Sequence, residues 1–527
     1  HFTPKHERDV AKNLDDFVYI GRHNLTVFGS DLNWDALEWP GAARFTKLGA
    51  ARKRDRLEEN RFDDRLIDFA KAYLRYQQGM KPTGTRNETK ALRAIESIMA
   101  IRPEMAGIVD LNISVLDEAA GQARSHYSAM AAYHAGREIQ RIALFVSHKK
   151  LTKANLSGWM SPIRKPDDVS IQVGVAARER QSKTLPSEVA LNALAEIFSN
   201  NPPVPRDTFT SSAWAMLLSA PSRVSEVLLL PADLEVEETD PAGNARYGWR
   251  FFSGKGFEAD IKWIPEVMVG VAREAVRRIR ELTEPGSRPA RWIEHHPEEF
   301  YRHANCPNVP ADQPLSAEQV ARALGLASLS NKELNTGLGA CTLAELWRRC
   351  MSKLPDGFPW FCQEWRLKYS EALFCMRANE LHHQRGVALL RLWAPDVNTL
   401  NNDLCPRESL NSRFHQSIFD RHGYLNEDGA RLKVTSHQAR HLLNTIANRG
   451  GLSNELIAKW SGRADMKQNR VYNHMSESEL VATTKAINPC LSCFGPECSV
   501  PANVPVGPED LALMERCSFH WTIARKA

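Results

Sequence analysis

The sequence predicts a mainly α-helical protein with a small β-sheet, an α+β arrangement, and three observations lead to this fold class. Apolar residues recur at helical spacing in several long segments, such as 62–76 and 185–198. One stretch has the pattern of a β-hairpin, in which residues 247–252, a Gly-Lys-Gly turn and residues 261–264 follow one another. A length of 527 residues, with 43% hydrophobic and 25% charged residues, is typical of a globular protein with about two to four domains.

Composition narrows the class of protein. The 68 Lys and Arg exceed the 63 Asp and Glu by a formal net charge of +5, which permits a nucleic-acid partner without requiring one. No apolar run is long enough to span a bilayer, and the polar first residues lack the pattern of a secretory signal. Most of the ten cysteines are scattered, which favours a reducing compartment. We therefore expect a cytoplasmic protein without a membrane partner.

The helical segments and the changes in composition predict four regions. Periodic apolar residues predict a compact helical domain, including one long helix from Ala119 to Phe145, before a Pro-containing linker. A second domain contains the hairpin, and its many tryptophans between about 284 and 410 indicate packed structure rather than linker, in a segment that we call the insertion. The predicted regions are an N-terminal basic arm region at 1–58, the helical domain at 59–175, the second domain at 176–487 with its insertion at about 284–410, and a Cys/His-rich tail at 488–527.

A stretch towards the C-terminal end gathers side chains suited to phosphate chemistry. His437 and Arg440 are three residues apart, so on a helix they project from one face and can meet one anion. A Gly-Gly pair predicts the end of that helix. Arg463 and Tyr472 follow in the same stretch. Arginine suits a phosphate because its planar fork offers two parallel, permanently charged hydrogen bonds.

Two further groups lie upstream. Arg223 follows Ala-Pro-Ser and is followed three residues later by Glu226, and Lys255 occupies the Gly-Lys-Gly turn of the hairpin. Together, the order of these residues resembles the tyrosine recombinase (phage integrase) family. Its pattern is an early Arg, a hairpin Lys, His-x-x-Arg, a His or Trp, and a nucleophilic Tyr. Arg463 stands where the family usually has His or Trp, so this contact is expected to differ in detail.

The resemblance implies a site-specific DNA recombinase that needs neither a metal ion nor ATP for catalysis. Tyr472 would attack a DNA phosphodiester and form a 3′-phosphotyrosine, which conserves the bond energy for rejoining. Taken singly, each residue has an ordinary reading, such as a salt bridge for Arg223 or a solvated turn for Lys255. The other implied roles are phosphate binding by Arg223, Arg440 and Arg463 with Glu226 in support, proton donation by Lys255, and proton transfer or hydrogen bonding by His437.

The resemblance also implies partners. The domain at 59–175 would be a core-binding domain that contacts the opposite side of the duplex. The protein would act on double-stranded recombination sites as a homotetramer, through a Holliday junction, with an accessory directionality factor. It would be encoded by a bacterium or phage and associate with the nucleoid. Two alternatives remain, a type IB topoisomerase that relaxes one duplex, and a catalytically idle DNA-binding protein of the same fold.

Several basic residues outside this pattern are candidates for DNA contact. They are clustered in the N-terminal region and after the last helix of the helical domain, where they could lie along phosphates. A solvated protein face is the alternative. The candidates are Arg52, Lys53, Arg54, Lys149, Lys150 and Lys153.

The C-terminal tail contains a group of cysteines. Two Cys are separated by two residues, a third follows, and a Cys-x-x-His pair comes later, which are spacings that zinc ligands use. Ordinary buried thiols are the alternative, because one cysteine exceeds a four-ligand set. The candidate ligands of a structural zinc ion are Cys490, Cys493, Cys498, Cys517 and His520.

Overall fold

The computed structural model divides the chain into two compact units, His1–Val169 and Ser170–Ala527. Both are mainly α-helical with small antiparallel sheets, which confirms the predicted fold class. No described helix combines the length and apolar character that crossing a membrane requires. The described residues are 2–7, 9–50, 58–166, 184–239, 243–251, 260–326, 328–329, 341–406 and 416–449, together with 457 and 461.

The N-terminal unit contains five α-helices and one short strand pair among its described residues. Helix α4 begins after Asn112, whose side chain accepts from the Val115 N–H, as expected of an N-cap. The elements are α1 (Val10–His23), β1 (Glu38–Trp39), β2 (Ala43–Arg44), α2 (Asp64–Met80), α3 (Arg86–Met99), α4 (Ile113–His126) and α5 (Ala129–His148).

One hydrophobic core joins all of these elements. Phe17 of α1 is fully buried, and its ring lies 6.2 Å from that of Phe69 in α2 and 5.3 Å from that of Phe145 in α5. Trp39 of β1 is buried in the same core. The boundary predicted at residue 58 therefore falls within one core, and the described part of the N-terminal region packs with the helical domain.

The single helix predicted from Ala119 to Phe145 is wrong, because the structure has two helices there. Tyr127 and Ser128 separate them with extended backbone, at ψ angles of 158° and 154°. Buried residues continue on both sides, from Ala123 to Ala132. Because both helices contribute to one core, the apolar periodicity does not reveal the break.

The C-terminal unit surrounds its main core with helices and one three-stranded sheet. The helix predicted at 185–198 is confirmed with slightly shifted ends. The elements outside the insertion are α6 (Glu188–Ser199), α7 (Pro205–Ser219), α8 (Val224–Val227), β3 (Glu235–Thr239), β4 (Ala245–Phe251), β5 (Asp260–Trp263), α9 (Glu266–His295), α13 (Ile418–His422) and α14 (Ser436–Arg449).

The predicted hairpin is confirmed as β4 and β5, which pair antiparallel with Trp249 opposite Lys262. A third strand, β3, pairs with β4 on the other side, with Glu235 opposite Trp249. The sequence analysis missed β3, since its residues are half-buried or exposed and three of the five are glutamates. The sheet order is β3-β4-β5.

The insertion is packed structure, as its tryptophans indicated. It has a hydrophobic core of its own, in which the rings of Phe300 and Trp347 lie 5.4 Å apart. Its described elements are α10 (Ala317–Leu324), α11 (Leu343–Met351), β6 (Trp360–Cys362), β7 (Leu367–Lys368), β8 (Met376–Ala378), β9 (Ala388–Trp393) and α12 (Val397–Leu404).

Helix α9 belongs to both cores of this unit. Its first half buries Ala275 and Ile279 in the main core, and its last turns bury Ile293 in the core of the insertion. The insertion start predicted at residue 284 therefore lies inside a helix. At Gly286 a Cβ would stand 2.6 Å from the Cys375 carbonyl oxygen, so the absence of a side chain lets the insertion backbone approach α9 closely.

A buried carboxylate joins the segment after the insertion to the segment before it. Asp403 of α12 accepts two hydrogen bonds from Arg421, at 2.7 and 2.8 Å, and one from Thr210 of α7 at 2.6 Å. Arg206 of α7 donates to it at 2.8 Å. Arg421 also bonds Asp207 at 2.8 Å. This network joins one helix before the insertion, one at the C-terminal end of the insertion and one after it.

We expect Asp403→Ala to lower the free energy of unfolding of the C-terminal unit by about 3 kcal/mol, because buried cationic and hydroxyl donors lose their acceptor. Chemical denaturation followed by tryptophan fluorescence measures it. Asp312→Ala removes an exposed aspartate of the insertion and should cost less than about 0.5 kcal/mol. Equal costs for the two variants would contradict this role of Asp403.

Candidate active site

Arg223 and Glu226 lie at the start of the short helix α8. The Glu226 carboxylate accepts from the Arg223 backbone N–H at 3.0 Å, which caps the helix, and its other oxygen accepts from the Arg223 guanidinium. Glu226 is buried, whereas 23% of the Arg223 side chain is exposed. The buried Glu226 carboxylate thus holds the partly exposed Arg223 guanidinium in one orientation.

Lys262 approaches the same carboxylate from the sheet. Its Nζ lies 3.2 Å from a Glu226 oxygen and 3.2 Å from the Ser222 Oγ, and it stands 4.2 Å from the centre of the Phe251 ring. Only 6% of the side chain is exposed. Burial lowers the pKa of Lys262 to about 8, with Arg440 and Arg223 acting in the same direction and Glu226 opposing them.

Arg440 reaches Glu226 from helix α14. Its Nη1 lies 3.7 Å from the Glu226 carboxylate and donates to the Pro221 carbonyl at 3.3 Å. Its Nη2 donates to the Ser461 carbonyl at 2.8 Å. The side chain has no exposed surface. Arg440 therefore joins α14, the Pro221 loop and the segment at Ser461 around one guanidinium.

These four residues form what we call the Glu226 cluster: Arg223, Glu226, Lys262 and Arg440. Three cations surround one carboxylate, and three of the four side chains are almost fully buried. Burial alone would raise the pKa of Glu226, but Lys262, the Arg223 N–H, Arg440 and the Arg223 side chain outweigh it, and the pKa is lowered. The carboxylate stays ionised at neutral pH, so within the described part of the chain the cluster combines three cations with one carboxylate, a net positive charge that suits an anion.

Helix α14 presents buried polar side chains around this cluster. Asn444 and Thr445 are fully buried, and the Ser461 hydroxyl donates to the Asn444 Oδ1 at 2.8 Å. His441 is 5% exposed, and its ring lies 4.8 Å from that of His437, which is exposed. The structure therefore brings His437 to the accessible end of the same helix face that carries Arg440.

Known proteins were compared with the chain. No protein-family model matches it, and no curated protein matches it by sequence. The chain is similar in structure to site-specific recombinases. One is the XerH site-specific recombinase bound to palindromic difH substrate in a post-cleavage complex, at 12% identity, with a TM-score of 0.42 and coverage of 92% of this chain and 99% of that one.

Two further solved structures are also similar to the chain. The Tn1549 transposon integrase in complex with circular intermediate DNA has 11% identity and a TM-score of 0.36, over 78% of this chain and 96% of that one. The XerA recombinase has 15% identity and a TM-score of 0.23, over 79% and 96%. At these scores the similarity carries no functional argument, and the function is argued from the residues of the site.

Several predicted site residues lie outside the described residues. They are the hairpin lysine Lys255, the C-terminal Arg463 and Tyr472, the basic residues Arg52, Lys53 and Arg54, and the predicted zinc ligands Cys490, Cys493, Cys498, Cys517 and His520. In the part of the chain that the structure describes, no group of His, Cys, Asp and Glu could hold a metal ion. These assignments stay predictions.

The three lysines after α5 lie close to groups of their own unit. Lys149 donates to the Phe2 carbonyl at 2.6 Å, Lys150 to Glu7 at 2.9 Å, and Lys153 to Asp110 at 2.7 Å. The last two side chains remain 40% and 70% exposed. Contact with DNA phosphates stays a prediction for all three, and any such contact would compete with these bonds.

Sequence reasoning missed Lys262. The run Ile-Lys-Trp-Ile suggests that Ile261 and Trp263 point into the core and that Lys262 points to solvent, but both hydrophobic residues are only half-buried and Lys262 is buried. The signal was in the partner strand, where Tyr247, Trp249 and Phe251 alternate on one face. Because Trp249 pairs with Lys262, the lysine shares that buried face.

Proposed function

We propose that this chain is a site-specific DNA recombinase of the tyrosine recombinase type, which cleaves and rejoins DNA through a covalent 3′-phosphotyrosine. The Glu226 cluster carries the proposal. It brings together Arg223 and Arg440, which are far apart in sequence and occupy the two arginine positions of the family pattern. Its excess positive charge suits a phosphodiester, which gains negative charge in the transition state.

The two arginines differ in access. Arg223 is partly exposed, so its guanidinium can donate to a non-bridging phosphate oxygen while Glu226 fixes its orientation. Arg440 has no exposed surface and donates to the Pro221 and Ser461 carbonyls, so a phosphate reaches it only after its surroundings move.

The remaining steps belong to residues outside the described ranges and to His437. Tyr472 loses its phenolic proton to His437 or to solvent, attacks the phosphorus and displaces the 5′ oxygen. Lys255 donates the proton that this oxygen takes, and Arg463 donates to the phosphate. His437 is exposed and stands three residues before Arg440 in the sequence. It hydrogen-bonds the phosphate or transfers a proton. The reaction then reverses with a strand from the other duplex, through a Holliday junction. No metal ion or ATP takes part in these steps.

The proposal includes partners. We propose double-stranded recombination sites as the substrate of this chain, because the positive charge of the Glu226 cluster suits a DNA phosphodiester. Exchange between two duplexes requires a homotetramer, and an accessory factor would set direction. The protein would act on a phage, plasmid, transposon or genomic island in the cytoplasm, at the nucleoid.

The experiment that tests this function uses nicked suicide duplexes made from the sequences that flank the gene's own element. We expect a covalent protein–DNA adduct that forms in the presence of EDTA, and joining of strands from two different duplexes. Resealing of a single supercoiled duplex without exchange would indicate a type IB topoisomerase instead. DNA binding without any adduct would indicate a catalytically idle protein.

We also propose that the C-terminal tail binds one structural zinc ion through four of the five side chains predicted above. The zinc-ligand spacing of the tail supports this, since a Pro-rich tail gains order from a metal that it cannot gain from a small core. Elemental analysis of protein purified without a polyhistidine tag should give about one equivalent of zinc. Zinc below about a tenth of an equivalent in protein that folds and cleaves would exclude the metal.

A further inference from the structure

We propose that Lys262 of β5 is a positioning residue of the recombination reaction, which holds the Glu226 carboxylate in the place where it orients Arg223 and Arg440 towards the scissile phosphate. This inference rests on the proposed function and adds to it a residue that the family pattern described above does not contain. Its basis is the geometry of a buried lysine that lies between the Glu226 carboxylate and the Ser222 hydroxyl.

Lys262 restricts the orientation of the carboxylate. One Glu226 oxygen accepts from the Arg223 guanidinium, while the other receives the Arg223 N–H at 3.0 Å, Lys262 at 3.2 Å and Arg440 at 3.7 Å. The lysine itself is fixed on its other side by the Ser222 hydroxyl. A carboxylate with donors on both oxygens from three elements cannot rotate without losing a bond, so both guanidinium groups that it contacts keep their positions.

The position of Lys262 is costly for stability. Its side chain lies on the face of the sheet that carries Trp249 and Phe251, where an apolar residue would pack without losing hydration. Two arginines also contact this acid, so Lys262 is one of three cations around a single carboxylate. In the protein without DNA, the third cation therefore places a further positive charge in a buried site, which is unfavourable. This arrangement is useful when an anion joins the cluster, since the phosphate supplies the missing negative charge.

The first test measures cleavage of a saturating suicide duplex by Lys262→Met, which keeps the apolar stem and removes the charge. We expect the cleavage rate at pH 7 to fall about 100-fold, because misplaced arginines lose alignment with the phosphate, while the Kd for DNA changes less than about threefold. The melting temperature should change by less than about 4 °C, because Glu226 keeps both arginines.

Lys71→Met is the matched control. Lys71 is also a buried lysine next to an aromatic ring, with its Nζ 2.6 Å from the Trp34 carbonyl and 5.4 Å from the centre of the Phe45 ring, but it belongs to the N-terminal unit. Its cleavage rate should stay within about twofold of the wild type, since no arginine of the Glu226 cluster depends on it. A wild-type rate for Lys262→Met would overturn the inference and leave the proposed function intact, whereas no adduct from the wild-type protein would overturn the function.

The second test uses pH and applies even if Lys262→Met does not fold. Among the residues that the structure describes, the charged groups that face Lys262 are Arg223 and Glu226 at the start of α8 and Arg440 from α14, with the Phe251 ring from β4. Because the pKa of Lys262 is lowered to about 8, the wild-type lysine loses its proton between pH 7 and 9. Lys262→Arg keeps its charge over this range.

We expect Lys262→Arg to restore cleavage at pH 7 to within about threefold of the wild type, since a guanidinium can also donate to Glu226 and Ser222. Measured at subsaturating duplex, where the rate reports the free protein, the ratio of wild-type to Lys262→Arg rate should then fall about tenfold from pH 7 to pH 9. Titration of other groups affects both proteins and cancels in this ratio. A ratio that does not change with pH would overturn the proposal.

Discussion

Replacement of Tyr472 by phenylalanine is expected to abolish the covalent protein–DNA adduct while DNA binding is retained. The substitution removes only the phenolic oxygen, which is the atom that would attack the phosphorus. The phenylalanine ring has no nucleophilic atom that could take its place. Adduct formation should fall below detection in a denaturing gel, because the adduct is the product of that single bond. The Kd for the same duplex, measured by fluorescence anisotropy, should change by less than about twofold.

Tyr424→Phe is the control for this experiment. It removes the hydroxyl of a half-buried tyrosine in the same unit, and that hydroxyl hydrogen-bonds Glu196. The control should form the adduct at the wild-type level. If Tyr472→Phe formed the adduct undiminished, another residue would have to be the nucleophile. The resemblance to the tyrosine recombinase family would then lack its nucleophilic tyrosine.

Replacement of Arg223 by alanine is the second large effect that we expect. The cleavage rate should fall about 1000-fold, because the developing charge on the phosphate loses the one guanidinium of the cluster that is partly exposed. The fold should tolerate the change, since Glu226 keeps Lys262 and Arg440 as partners. Single-turnover cleavage and a thermal melt on the same preparation measure the two effects separately.

Arg440→Ala provides the contrast. The Arg440 side chain is fully buried and donates to the Pro221 and Ser461 carbonyls, so its removal should lower the free energy of unfolding by about 3 kcal/mol in addition to its effect on cleavage. If Arg223→Ala kept both the wild-type melting temperature and the wild-type cleavage rate, the Arg223 guanidinium would have no part in cleavage. Only the backbone N–H of this residue would then matter, at the cap of α8. Loss of stability in Arg223→Ala as large as in Arg440→Ala would contradict the difference in burial on which this pair rests.

The sequence predicted the parts of the site that depend on local spacing. The helix that carries His437 and Arg440 and the hairpin of β4 and β5 follow from periodicity, and the structure contains both. The family resemblance assigned Arg223 and Arg440 to one phosphate, but it did not indicate the contact of Arg440 with Glu226, which connects residues far apart in the chain. Periodicity records which face is apolar, and it carries no information on which distant element covers that face.

Three features could not be predicted from the sequence pattern. They are the burial of Lys262, the break after Tyr127 and strand β3. Lys262 is buried against the alternation of its own strand, because the register of β4 decides its face. The break after Tyr127 leaves the apolar pattern intact, because both helices cover one core. Strand β3 has no alternation because most of it faces solvent, and its pairing with β4 holds it in the sheet. In each case a tertiary contact overrides the local signal.

The helix shared by the two cores of the C-terminal unit has a consequence for cooperativity. Helix α9, of 30 residues and about 45 Å by the rise of an α-helix, cannot lose its last turns without exposing Ile293, nor its first half without exposing Ile279. Opening of the insertion therefore frays a helix that the main core also needs. Native-state hydrogen exchange should show the amides of α9 and of β8 exchanging in one subglobal opening, so that the insertion and the main core form a single foldon rather than two.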